Sequence, residues 1–209
     1  MKVEVICKPN NLAVDLGITL LDYDSSIRLA FDKIEQNQVL SSWKDAMTSD
    51  ILQKGISQYV EVPSKGCFKD NRQCRVNNSQ RTLEKIWSIG GQNGWYYGNI
   101  LWEIRGIIDQ IFGGVGMRRG RKSQTKIFTG DALDFWRVLL ADKKEKRLLL
   151  YAEMKLPGEA WLEFTIDENN VLHQTATFRP LGVLGRLYWY AVLPLHGIIF
   201  KGMIKRLCA

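Results

Sequence analysis

With 209 residues, 45% of them hydrophobic and seven tryptophans among them, the chain can build one domain plus an extension or two small domains, and it is not a disordered chain. Its net charge of +7 favours acidic partners in general but says nothing of fold. Four cysteines without CxxC spacing argue against a zinc site and for free, reduced thiols in a cytoplasmic protein.

The opening MKVEVICKPNN does not read as a signal peptide, because its apolar run is short and is broken by Lys8 and Pro9. VEVIC suits a short strand. Asp24 and Ser25 are candidate caps for a helix through SIRLAFDKIEQ, where Ile27, Phe31 and Ile34 recur at helical spacing. A second helical piece is expected over 42–54. Cys67 and Cys74 lie in an extended segment, CFKDNRQCRVNN. Fully extended, they would stand roughly 23 Å apart at strand rise, too far for a direct bridge without a sharp fold.

Ser79 is a candidate cap for RTLEKIWSI, which stops at Gly90-Gly91. WYYGNILWEIRGIIDQIF predicts the next helix, ended by Gly113-Gly114. Its Ile100, Ile104, Ile107, Ile108 and Ile111 form a stripe, joined at its edges by Trp102 or Phe112. Gly114, Gly116 and Gly120 match a nucleotide loop superficially, but a helix precedes them where a strand is required. The basic run Arg118 to Lys122 reads as a solvated loop, with phosphate or anionic-lipid binding as the alternative. It lacks the interleaved aromatics of a single-strand binder, so nucleic acid is not expected.

From Gly130 to Phe164 the chain alternates apolar and polar residues across two turns, the pattern of a β-meander. Strands are expected over Asp134–Ala141, Lys146–Lys155, Ala160–Asp167 and Val171–Arg179, with an extra strand near Gln124–Thr129. Trp136, Val138, Leu140, Leu148, Leu150, Ala152, Met154, Leu162 and Phe164 fall on the inward face. If Met154 opposes Leu162, then Glu153 and Glu163 oppose each other on the other face beside Arg137. A carboxylate pair there could divide acid and base roles, but a solvent-face ion cluster is the preferred reading.

Pro180-Leu181-Gly182 ends the sheet, and a long apolar helix occupies most of 183–207, with a kink expected at Pro194. Its segment LYWYAVLPLHGIIF, fourteen residues, is short of the twenty or so needed to span a bilayer, so a buried helix is preferred and an interfacial one comes second. His173 reads as exposed and His196 as a core or cavity residue. Neither sits with other ligands, so no metal site is indicated, and no serine or cysteine has a nucleophile context.

The element order, with helices segregated to one side of an antiparallel sheet, gives an α+β fold. It resembles the helix-grip architecture of the SRPBCC superfamily (START and pollen-allergen domains), a curved antiparallel sheet wrapped around a long C-terminal helix. More narrowly, KDNRQCRVNN, WSIGGQNGWYYGNILWEIRGIIDQIFGGVGMRRGR, GDALDFWRVL and LPGEAWLEF resemble an uncharacterised bacterial domain family of that superfamily, over about 61–209. Members are often fused behind an NAD(P)-binding short-chain dehydrogenase, and NNLAVDLGITLLDYDSSIRLAFDKI is similar to the closing segment of such an enzyme. The strand, glycine loop and helix that hold a dinucleotide are missing here. Residues 1–50 thus resemble a dehydrogenase remnant and 51–209 the helix-grip domain.

The resemblance implies no catalytic residues and no cofactor. It implies an apolar cavity between sheet and last helix that takes a hydrophobic small molecule or lipid. Trp136, Met154 and Phe164 are its expected sheet wall, with Trp95, Trp102, Tyr188 and His196 on the helices. Two further expectations follow: an accessory module for a separate short-chain dehydrogenase, and a peripheral membrane protein using the last helix and the basic loop.

Overall fold

The computed structural model describes residues 15–17, 19–35 and 60–209. The strand expected at VEVIC and the helix expected over 42–54 lie outside them. The chain divides into two compact units, Met1–Leu40 and Ser41–Ala209.

The first unit contributes α1, Tyr23–Glu35. Its cap is Asp22, just before the expected Asp24 or Ser25. The Asp22 carboxylate accepts from Ser25 N at 2.9 Å and from Ser25 Oγ at 2.6 Å, so it satisfies a first-turn donor that the helix leaves open.

In the second unit, six antiparallel strands form one curved sheet in the order β1-β6-β5-β4-β3-β2. They are β1 (Phe68–Arg75), β2 (Ala132–Leu133), β3 (Trp136–Asp142), β4 (Arg147–Ala152), β5 (Gly158–Ile166) and β6 (Val171–Pro180). The meander β3 to β6 is where the alternation placed it. The strand expected over Gln124–Thr129 does not form. An isolated bridge from Arg121 to Leu133 takes its place.

Three helices lie along one face: α2 (Ser79–Trp87), α3 (Asn99–Ile111) and α4 (Gly182–Cys208). Asn78, not Ser79, caps α2, accepting from Arg81 N at 3.0 Å. The expected start of α3 at Trp95 is also corrected. Tyr96 and Gly98 have φ of +62° and +66°, and that left-handed backbone holds Trp95 and Tyr96 in a loop before the helix.

The sheet face beneath the helices carries the main core, including Trp136, Val138, Leu148, Leu150, Leu162 and Phe164, all assigned inward from the sequence. Leu140 is the exception. An extra residue in β3 between Val138 and Leu140 shifts the register, so Leu140 pairs with Leu149 and packs in a second cluster with Leu139, Tyr151 and Trp161 on the opposite face.

α4 falls into two parts. Toward its C-terminus Phe200, Met203, Ile204 and Leu207 are buried, and the last carbonyls are held from α2: Lys85 Nζ donates to Arg206 O at 3.1 Å and Thr82 Oγ1 to Leu207 O at 3.5 Å. Cys208 pairs with Cys74 of β1 as a disulfide, with Cα atoms 6.5 Å apart. This overturns the expectation of free cysteines. The partner lies 134 residues away, so spacing along the chain carried no trace of it. Among the described residues Cys67 is free. In the first two thirds of α4 the picture reverses. Between Gly182 and Ile199 only Gly185 and Trp189 are buried. The segment expected to be a buried helix therefore presents most of its apolar surface outward.

Candidate functional site: an apolar cavity beneath the last helix

Between the sheet, α3 and the outward half of α4 lies a cavity of about 250 Å³. That is near the lower end of small-molecule sites. The sheet supplies Trp136 from β3, Ala160 from β5, and Ala176 and Phe178 from β6, while Met154 and Leu156 come from the β4–β5 connection. From α3 come Leu101, Trp102, Ile104, Arg105 and Ile108; α4 adds Tyr188, Trp189, Val192, Leu195, His196 and Ile199.

Five of the seven residues singled out from the sequence line this space: Trp102, Trp136, Met154, Tyr188 and His196. Trp95 and Phe164 do not. Both are fully buried in the core beside the cavity. Trp95 stacks against Phe135 with ring centroids 6.3 Å apart, and its indole N–H is taken by Asp134 Oδ2 at 2.9 Å. The sequence reading missed Trp189, Val192 and Ile199. Tyr188 and His196 are eight apart on one helix, so the i+4 position between them, and the i+3 position beyond, could have supplied Val192 and Ile199.

Polar groups are few. His196 lies between Trp189 and Phe200, with ring centroids at 5.2 and 4.1 Å, and its Nδ1 is 3.7 Å from Asp70 Oδ2. Asp70 also takes a 2.9 Å contact from Arg72 on the same strand. Burial pushes the Asp70 carboxyl up, but the neighbouring His196 and the hydrogen bond and charge of Arg72 outweigh it and hold the group below its ordinary 3.8. Stability from Asp70 is fully present above 3.8 and is lost as pH falls through the lower folded value. Asp70→Asn is therefore expected to flatten the acid limb of the stability profile, measured by urea unfolding at neutral and acidic pH. An unchanged limb would show that Asp70 does not contribute.

Across the mouth, the Arg105 guanidinium stands 5.3 Å from the centre of the Tyr188 ring. Burial pushes the Tyr188 phenol up, and Arg105 opposes the shift. Within the wall, Nε1 of Trp102 and Nε1 of Trp136 are buried and have no hydrogen-bond partner among the described residues. An unmet donor of this kind costs about 1–3 kcal/mol.

The isoleucine stripe of α3 faces largely outward. Its five members range from 45% exposed at Ile108 to 76% at Ile111, while Trp102, Gly106 and Asp109 face the protein. What turns the helix this way is Asp109. Its carboxylate accepts from Lys155 N at 2.7 Å and Gly116 N at 2.8 Å, fixing this residue inward against the β4–β5 connection, on the same side as Trp102 and Gly106.

The candidate carboxylate pair is also dismantled. β4 and β5 pair Leu150 with Leu162 and Leu149 with Glu163, so Met154 does not oppose Leu162 and the two glutamates are not neighbours. Glu163 holds Arg147 at 2.7 Å near the surface. Glu153 is buried between two guanidiniums, Arg137 at 3.1 Å and Arg119 in close contact. Nor is the basic run a solvated loop. Besides Arg119, Arg121 is buried, donating to Ile89 O at 2.5 Å and Trp87 O at 2.9 Å.

Fold and cavity together define an α+β domain of helix-grip layout, a sheet closed by its last helix over an apolar space. The family model described as "Protein of unknown function (DUF2867)" matches residues 64–203, and the chain belongs to that family. No curated protein matches it.

Proposed function

We propose that the protein binds a small apolar molecule or lipid chain in the cavity beneath α4, without covalent chemistry. The observation that carries this reading is the cavity itself, whose wall is almost wholly aliphatic and aromatic. Affinity comes from apolar surface removed from water, at roughly 25 cal/mol per Å², less the cost of immobilising the ligand. The unmet indole donors of Trp102 and Trp136 favour a ligand with an acceptor oxygen among its carbons. The helix-grip layout supports a further proposal, that the domain shares descent with SRPBCC ligand carriers.

The test is native mass spectrometry and thermal shift with a panel of fatty acids and isoprenoid alcohols. A ligand at a hundred times its Kd stabilises by about 2.7 kcal/mol, which raises Tm by roughly 5–10 °C in a domain of this size. Val192→Trp, from a half-buried wall position, fills the space and is expected to abolish the shift. Failure of every compound to bind, or identical shifts in V192W, would sink the reading.

A further inference from the structure

The mouth of the cavity opens on a surface that is itself apolar. Ile104, Ile108 and Leu195 line the cavity and are also 45–50% exposed, so they form both its wall and its outer lip. Around them the isoleucine stripe of α3 continues outward. On α4 the exposed positions Val183, Leu184, Leu187, Tyr190, Leu193 and Ile198 follow one another with hardly a polar break. At 100° per residue, with Leu195, they cover roughly 200° of the helix circumference. Soluble monomers rarely expose contiguous apolar surface of this kind, and where they do it marks an interaction site.

Three observations choose the partner. The first is the width of the arc: a helix or a second copy of the chain seals a stripe of roughly 100°, whereas lipid covers any shape presented to it. The second is charge. α4 carries Arg186, Lys201, Lys205 and Arg206 and no Asp or Glu in its 27 residues, and Lys201 and Lys205 extend the exposed arc toward the C-terminus. Apolar side chains flanked by cations, with an exposed tyrosine among them, suit the headgroup boundary of an anionic bilayer. The third is attachment. α4 is long and apolar enough to cross a membrane. However, Trp189 is stacked on Phe68 and Phe178, with centroids at 5.2 and 5.8 Å, so the helix lies along the sheet and offers its outer side.

We propose that α3 and the first two thirds of α4 form a docking surface for an anionic lipid bilayer, with the cavity mouth opening into the lipid. Docking stands apart from ligand binding. Only the corollary, that the occupant enters from the membrane, rests on the cavity reading above.

Flotation of the full chain with vesicles of phosphatidylcholine, with and without phosphatidylglycerol, tests it. Anionic lipid is expected to raise the partition coefficient about a hundredfold, the effect of a few basic side chains near the surface. Leu187→Asp with Leu193→Asp is expected to abolish flotation with Tm unchanged, because both side chains are exposed. Arg186→Glu with Lys201→Glu is expected to remove only the dependence on phosphatidylglycerol. Val192→Trp is expected to float like the parent while losing ligand, so failure of the cavity reading and failure of docking give different results. Three results overturn the proposal: no flotation with either vesicle, flotation indifferent to anionic lipid, or a stable dimer in solution that L187D/L193D converts to monomer.

Discussion

Glu153→Ala is expected to destabilise the protein by about 3–5 kcal/mol, read as a lower urea midpoint at unchanged slope. Glu153 is the carboxylate between two buried guanidiniums. Arg137 is fully buried, with Nη1 on the Gly130 carbonyl at 2.8 Å; Arg119, 5% exposed, reaches the Asp134 carbonyl at 3.0 Å through Nε. Those carbonyls satisfy donors but do not neutralise charge. Removing the carboxylate takes away the bridge between the two guanidiniums and strengthens their mutual repulsion in a poorly solvated site. Glu153→Gln keeps the shape and part of the hydrogen bonding but loses the charge, and is expected to recover little. Glu163→Ala is the control. Its pair with Arg147 is partly exposed, with side chains 23% and 38% accessible, so its loss is expected to cost at most about 1 kcal/mol. Equal effects at the two glutamates would overturn this account of the cluster.

These two glutamates also show where reading the sequence stops. Alternation placed both opposite the main core, and that parity holds for Glu163 within its strand. What alternation could not supply was the register. β4 ends at Ala152 and the connection through Lys155-Leu156-Pro157 is longer than a tight turn, so the pairing slides by four residues and Glu153 leaves the ladder. The same limit explains Leu140, displaced by a single-residue bulge that leaves no mark in the alternation.

For α3, periodicity identified the residues that share a face but not which side that face would meet. Part of the answer lay with Asp109 and its two backbone donors, one 7 and the other 46 residues away in the chain. For the basic run, nothing local separates the buried Arg119 and Arg121 from their exposed neighbour Arg118, because the groups that accept from them lie up to 34 residues away. Five of the seven proposed wall residues line the cavity because aromatic and long apolar side chains at helical spacing belong on such a wall whatever fills it. Trp95 belongs on that wall only if α3 begins at Trp95, and the helix begins at Asn99.

Trp189→Ala is expected to have the second large effect, and to divide it unevenly along α4. Truncating a buried tryptophan costs about 3–5 kcal/mol. Trp189 is 6% exposed and bears on Phe68, Phe178 and His196, and with Gly185 it is the main hold of residues 182–199 on the sheet. Gly185 permits a close crossing over Pro157 O and Pro180 but offers no side chain to bury. Beyond residue 199 the helix has independent anchors in Met203, Ile204 and Leu207, the two α2 contacts at its end, and the Cys74–Cys208 link. The first part should therefore open without the second. In hydrogen exchange, amides of 182–199 are expected to lose roughly two orders of magnitude of protection while those of 203–207 keep theirs. The cavity loses its outer wall in that state, so any ligand found by thermal shift should no longer stabilise the variant, whereas Trp189→Phe, which keeps a ring between Phe68 and Phe178, should retain part of the effect. If protection instead falls equally along the whole helix, α4 moves as one unit with the sheet, and the cavity cannot be opened without unfolding the domain.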